Sequence, residues 1–146
     1  MLITLLLGLP TMVLCLFLES LLVIIAIRYY SRHSDQVNSP SIVSSLVVVN
    51  SVMLLLVIGN LAQVLIWALL FEMLGEFEHL ADAVYHSAVN FATLGYGDIV
   101  MSEKYRLLGP LEAINGVLMI GVSTAVLMAT FQDARKKTIS ARRGSS

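Results

Sequence analysis

Residues 42–71 form a run of thirty residues without a charged side chain, and no other feature of the sequence constrains the fold as strongly. At about 1.5 Å rise per residue, a helix of this length is roughly 45 Å long, more than the ~30 Å hydrocarbon core of a bilayer requires. Two further apolar runs, residues 2–27 and 107–131, are also long enough to cross a membrane. The sequence therefore predicts three transmembrane helices.

The composition of the 146-residue chain excludes several other classes of protein. Hydrophobic residues make up 58% of it and charged residues 13%, whereas soluble domains are about half apolar and a quarter charged. A formal net charge of −1 argues against a nucleic-acid partner, which requires a basic face. Cys15 is the single cysteine, and we interpret it as a small packing residue. With no nucleophile–base set, metal-ligand cluster or phosphate loop, the sequence predicts neither an enzyme nor a bound cofactor.

The first apolar run, residues 2–27, admits two interpretations. As a signal peptide it is too long, no Lys or Arg precedes it and no small-residue cleavage site follows, so we interpret it as a retained helix. It contains Glu19, and a charge at the centre of a membrane helix costs roughly 2.5–3.5 kcal/mol. Glu19 is therefore expected to be protonated, to face protein, or to pair with Arg28 or a polar residue of the second run. An assembly contact and a proton- or voltage-linked role are both compatible with this position.

The basic residues predict the orientation of the chain in the membrane. Residues 72–106 hold six acidic and two basic side chains, whereas the segment after Gln132 holds five basic and one acidic. Because basic residues favour the cytoplasmic side, the tail and the loop carrying Arg28 and Arg32 are expected there. Three spans then place the N-terminus outside a cell membrane. Residues 1–41 are interpreted as an extra N-terminal helix with its cytoplasmic loop, and residues 135–146 as a basic cytoplasmic tail.

A short helix, predicted at residues 80–92, leads directly into the hexapeptide Thr-Leu-Gly-Tyr-Gly-Asp at residues 93–98. This hexapeptide resembles the selectivity filter of potassium channels, usually written T-V-G-Y-G-D. Its setting resembles that family too, with an outer helix before it and an inner helix with a mid-span glycine after it. Five fixed positions recur by chance in about 10⁻⁵ of chains this long. The resemblance covers residues 42–131.

The resemblance implies an all-α integral membrane protein with three transmembrane helices, a re-entrant pore helix and a selectivity-filter loop. Within a pore domain at 42–134, it places the outer helix at 42–74, the pore helix at 80–92, the filter at 93–98 and the inner helix at 107–133. One chain carries one filter strand, so the implied pore is a homotetramer. The first span could pack around this pore or bind an accessory subunit. The implied function is passive, potassium-selective conduction.

The filter residues are assigned their roles through the same resemblance. In potassium channels, rings of backbone carbonyls from four chains replace the water around the ion. Alternate residues must then adopt conformations that a Cβ disfavours, which Gly95 and Gly97 permit. The ion contacts are expected at the carbonyls of Thr93, Leu94, Gly95 and Tyr96 and at the Thr93 hydroxyl. Leu94 replaces the commoner Val.

The side chains that support the filter differ from those of many relatives. Tyr85 and His86 stand where those channels carry two aromatic residues, and Val89 stands where some carry a glutamate. His86 and Asn90 share one face of the predicted helix. They are expected to hydrogen-bond Tyr96 or Asp98 and to hold the filter at its working diameter. The alternative is that His86 is a satisfied interior histidine.

The inner helix carries the expected gating residues. Gly121 is predicted to act as a hinge, with Gly116 as the rival position; glycine also serves close packing in membrane helices. The residues expected to line the cavity below the filter are Val122, Ala125, Ala129 and Thr130.

The sequence leaves open how the protein is regulated and which of several alternative functions it has. Arg135, Lys136 and Lys137 could bind anionic lipid headgroups or only fix the topology. His79 and His86 could confer a response to external pH. No span carries the repeated arginines of a voltage sensor. The alternatives to a potassium channel are a weakly selective cation channel, a subunit of a potassium transporter, or a membrane protein whose loop does not conduct.

Overall fold

The computed structural model describes residues 2–33 and 42–144, and within them it is entirely helical apart from turns and loops. The helices are α1 (Leu2–Arg32), α2 (Ile42–Met73), α3 (Leu80–Phe91) and α4 (Leu108–Gly144). Three of them are long and apolar enough to cross a membrane, namely Leu2–Arg32, Val43–Met73 and Leu108–Ala141. The predicted all-α membrane fold is therefore confirmed. Residues 34–41 of the predicted cytoplasmic loop lie outside the described residues.

The chain divides into two compact units. The first comprises Met1–Glu19 and Gly59–Ile120 and contains α3 and the predicted filter. The second comprises Ser20–Ile58 and Gly121–Ser146. Each long helix contributes to both units.

The core of the first unit is built around two aromatic side chains of α2, Trp67 and Phe71, which are both fully buried. Their ring centroids lie 6.0 Å apart. The first half of α1 packs onto this core, because Cys15 is fully buried in it, as predicted for a packing residue. Gly8 allows a close approach, since a Cβ there would lie 2.7 Å from the Leu111 side chain of α4. The first part of α1, up to Glu19, is thus a structural part of the unit that carries the predicted filter.

The second unit is held by polar contacts as well as apolar packing. The Tyr30 hydroxyl donates to the Asp133 carboxylate at 2.8 Å, and Lys137 pairs with the same carboxylate at 2.9 Å. Ser45 and Thr138 share a buried hydrogen bond of 2.7 Å. These contacts hold α4 beyond the expected helix end at residue 133. Because no proline or glycine lies between residue 133 and Gly144, the helix continues through most of the segment predicted as a tail.

Candidate functional site

Helix α3, predicted as the pore helix, ends in a backbone arrangement that starts residues 93–98, which we call the filter segment after the function predicted for them. After the last helical residue, Phe91, the Thr93 amide donates to the Asn90 carbonyl and the Leu94 amide donates to the Val89 carbonyl, both at 2.8 Å. This pair of bonds is a Schellman motif, in which the residue after the cap adopts a left-handed conformation. Thr93 is that residue, with φ of 58°.

Left-handed backbone angles recur at every second residue of the filter segment. Thr93, Gly95 and Gly97 have φ of 58°, 57° and 73°, whereas Leu94 and Tyr96 between them do not have positive φ. Gly95 and Gly97 accept this conformation easily, as expected, but Thr93 is β-branched and is strained there. Strain of this kind concentrates at functional sites. Alternation of this kind can turn the carbonyls of successive residues to the same side of the chain, which is the arrangement that a ring of ion-binding carbonyls requires.

The filter segment is open to its surroundings in a single chain. Residues 92–98 are all exposed, with Leu94 at 54% and Tyr96 at 64% of their full accessible area. Leu94 is therefore not part of the core that surrounds α3. Irregular backbone at membrane depth must be buried in protein or line water, and within one chain this segment is not buried.

The filter end is held by side chains of α3, with partners that differ from those expected. The Tyr85 hydroxyl donates to the Asp98 carboxylate at 2.6 Å. His86 instead binds the backbone one residue further on, and its Nδ1 donates to the Ile99 carbonyl at 3.0 Å. Asn90 donates from Nδ2 to His86 Nε2 at 2.8 Å. His86 and Asn90 thus have other partners than the predicted Tyr96 or Asp98. At Asp98, the hydrogen bond comes from Tyr85 instead.

These contacts set the protonation of the groups around the filter end. The bond from Tyr85 holds the pKa of Asp98 below its usual range and raises the pKa of the Tyr85 phenol. Burial lowers the pKa of His86, although the Ile99 carbonyl and the nearby carboxylates Asp98 and Glu76 oppose this shift. The site therefore favours a charged Asp98 beside a neutral His86.

The remaining support residues fix the loops around the filter. Val89, which stands where some potassium channels carry a glutamate, is buried, and its backbone carbonyl accepts a hydrogen bond in the helix cap. Beyond the filter, the Ser102 amide and hydroxyl both donate to the Glu76 carboxylate, at 2.6 and 2.7 Å. These two hydrogen bonds join the loop after the filter segment to the loop before α3. Glu76 has no sequence signal that marks it for this role.

Two buried acids lie in the same unit. Glu19 is 3% exposed and accepts a hydrogen bond of 2.9 Å from Gln63 of α2, so its expected pairing with a polar residue of the second run is found. Glu112 of α4 is fully buried and hydrogen-bonded to Ser87 of α3. In the sequence, Glu112 stands out only as an acidic residue within an apolar run, and nothing in the sequence identifies Ser87 as its partner.

The two candidate hinge glycines of α4 have different surroundings. A Cβ at Gly116 would lie 2.1 Å from the Phe91 carbonyl oxygen, so this glycine is required for packing against the end of α3. A Cβ at Gly121 would meet nothing within 4 Å. Of the predicted cavity residues, Val122, Ala125 and Ala129 are exposed. Thr130 is buried, and its hydroxyl donates to the carbonyl one turn back in its own helix.

The residues predicted to take part in regulation differ in their exposure to solvent. His79 is exposed, whereas His86 is buried against Phe71 and Phe77. Arg135 and Lys136 are exposed, while Lys137 is engaged by Asp133. The side chains of residues 142–144 lie outside the described residues. Among the described residues, no group of three or more His, Cys, Asp or Glu is placed to hold a metal ion.

A short helix followed by an exposed segment of alternating backbone handedness, between two membrane-length helices, is the arrangement that defines the class of pore-loop membrane proteins. Residues 60–133, half of the chain, match the sequence family described as ion channel. The chain belongs to this family of small pore-loop ion channels and is a multi-pass membrane protein. No curated protein and no solved structure matches it.

Proposed function

We propose that the chain is one subunit of a potassium-selective channel that conducts passively through the filter at residues 93–98. The observation that carries the proposal is the alternation of positive φ at Thr93, Gly95 and Gly97 within the segment that matches the ion-channel family. The ions would bind the carbonyls of Thr93, Leu94, Gly95 and Tyr96 and the Thr93 hydroxyl. Carbonyl rings of this kind replace the hydration shell of potassium.

The proposed pore is a homotetramer. One chain supplies one filter strand, and closing a ring of carbonyls around an ion takes four. The exposure of Leu94 and Tyr96 supports this proposal, because more than half of the accessible area of each is uncovered in a single chain, where neighbouring subunits would contact it. The pore helices would direct their C-terminal, partially negative ends toward a cation below the filter.

Opening is proposed to occur by bending at Gly121, with Val122, Ala125 and Ala129 lining the cavity. Gly121 begins the second compact unit and has open space around it, unlike Gly116. Thr130 fits this role less well, because it is buried and bonded within its own helix.

The proposed orientation has the N-terminus outside the cell membrane and the C-terminus in the cytoplasm. Arg135 and Lys136 would then face the cytoplasmic leaflet, whose anionic lipids attract basic side chains. An apolar cavity of about 250 Å³ adjoins Arg135, with Val49, Phe131 and Ile139 in its wall. It would hold part of an acyl chain while Arg135 binds the headgroup. Lys137, already paired with Asp133, would contribute less.

Rubidium uptake by liposomes that contain the purified protein tests the proposed conduction. Uptake driven only by an opposing potassium gradient, and blocked by excess external potassium but not sodium, is the expected result. Equal block by sodium would indicate a weakly selective cation channel. No uptake by assembled tetramers, at any pH between mildly acidic and mildly alkaline, would contradict conduction and leave a transporter subunit or a non-conducting protein.

A further inference from the structure

Ser87 lies where three helices, α2, α3 and α4, meet. Its side chain is fully buried on α3, and its hydroxyl donates to the Val64 carbonyl of α2 at 2.7 Å. The same hydroxyl oxygen is hydrogen-bonded to the carboxyl group of Glu112 on α4. One serine therefore makes two hydrogen bonds but carries only one hydrogen.

Counting donors fixes where the second hydrogen comes from. A backbone carbonyl can only accept, so the bond to Val64 uses the Ser87 hydrogen. The bond between Ser87 and Glu112 then needs a hydrogen from the carboxyl group, and an ionised carboxylate has none to donate. A protonated carboxyl group satisfies both bonds, with Glu112 donating to Ser87 and Ser87 donating to Val64.

The surroundings of Glu112 also favour the neutral form. Its second carboxyl oxygen, Oε2, is buried, and no hydrogen bond reaches it from the described part of the chain. No lysine or arginine among the described residues forms an ion pair with it. A buried carboxylate without a counter-charge is unfavourable, and burial within the membrane increases that penalty.

We propose that Glu112 is a positioning residue that acts as a neutral carboxylic acid, donating its proton to Ser87 and so joining α4 to α3 and α2 behind the filter. Asn90, on the same helix as Ser87, donates to His86, which in turn donates to the Ile99 carbonyl just after the filter segment. The placement of the pore helix thus depends on a hydrogen that a neutral acid supplies. The consequence for conduction rests on the proposed function, whereas the protonation does not.

Substitution distinguishes a neutral donor from a charged group. In Glu112→Gln the amide can donate to Ser87 as the neutral acid does, so rubidium uptake is expected to stay within about twofold of the unchanged protein. Glu112→Leu removes the donor and is expected to lower both uptake and the midpoint of thermal unfolding. Loss of uptake or of folded protein in Glu112→Gln, with Glu112→Leu no worse, would overturn the proposal.

Infrared spectroscopy tests the proton without relying on conduction. The carbonyl stretch of a protonated carboxylic acid is expected in the unchanged protein at neutral and mildly alkaline pH, and it should disappear in Glu112→Gln. The exposed Glu103→Gln serves as the matched control and should leave this band unchanged. An unchanged band in Glu112→Gln would overturn the proposal. A protein that shows the Glu112 band but takes up no rubidium would support the protonation and contradict the proposed function instead.

Discussion

The filter segment and the side chains behind it are built in opposite ways. Residues 93–98 are exposed and are defined by backbone angles, with positive φ at three alternate positions. The support behind them is buried and defined by side-chain hydrogen bonds, through Ser87, Glu112 and His86. Backbone angles of this kind can be specified by a short local motif, whereas side-chain hydrogen bonds of this kind need residues that are distant in sequence. The two regions should therefore fail differently when mutated.

The largest effect is expected from Gly95→Ala. A left-handed conformation costs roughly 1–2 kcal/mol for a residue with a Cβ, and four subunits would multiply that cost in the proposed pore. Potassium-selective flux is expected to fall by about two orders of magnitude or more. Rubidium uptake, with sodium as the competing ion, measures it.

Gly75→Ala is the control for that variant. Gly75 also has a left-handed φ, of 72°, and open space around its Cβ position, but it lies outside the filter. It should lose a similar amount of stability per chain and retain selective flux. Equal loss of selectivity in both variants would contradict the special role of the filter backbone.

The next effect is expected from Gly116→Ala, compared with Gly121→Ala. The added Cβ at residue 116 would overlap the Phe91 carbonyl, and overpacking costs about 1–3 kcal/mol. At residue 121 the Cβ meets open space, and alanine favours a helix by up to about 1 kcal/mol. Thermal unfolding in detergent should show a lower midpoint for Gly116→Ala and an unchanged or higher one for Gly121→Ala. The reverse order would contradict the assignment of Gly116 to packing.

The membrane fold and the left-handed backbone angles of Gly95 and Gly97 could be predicted from the sequence because both depend on local patterns. Apolar runs of sufficient length predict helices, and a Gly-Tyr-Gly motif predicts the backbone conformation. The partners behind the filter could not be predicted in the same way. Tyr85, rather than His86, reaches Asp98, and Glu112 meets Ser87 across 25 residues of sequence. Such pairs depend on how helices pack, and no spacing rule specifies that.

A pH effect on stability is expected from His86. Burial lowers its pKa, so the unfolded chain binds a proton more readily than the folded one. The stability contributed by neutral His86 should be complete above the ordinary histidine pKa of about 6.5 and lost as the pH falls through its lower native value. Thermal unfolding over that acidic range should show the decline, and His86→Gln should reduce it. A decline that survives in His86→Gln but disappears in His79→Gln would assign it to the exposed histidine.

A smaller effect is expected from Tyr85→Phe. The variant removes the hydrogen bond to Asp98, and hydrogen bonds contribute about 0.5–1.5 kcal/mol in general. Without it the pKa of Asp98 should rise toward its ordinary value, since this bond is the main cause of the lowered pKa. Protonation of Asp98 is expected to lower selective flux, and this loss should begin at a higher pH in the variant than in the unchanged protein. An identical pH profile would show that Asp98 is held by other groups.

The smallest effect is expected from Leu94→Val, which restores the commoner residue of the filter motif. The Leu94 side chain is exposed and lies outside the core that surrounds α3. Because the backbone carbonyl and not the side chain is proposed to bind the ion, the permeability ratio of potassium to sodium should change by less than about twofold. A larger change would place the Leu94 side chain among the determinants of selectivity.

In the proposed channel, the backbone of residues 93–98 selects potassium. The most direct test is the reversal potential of the protein in a planar bilayer, with potassium on one side and sodium on the other. A reversal potential far from zero, toward the potassium equilibrium potential, is the predicted result. A reversal potential near zero, with robust current through the same protein, would retain the pore and contradict the selectivity.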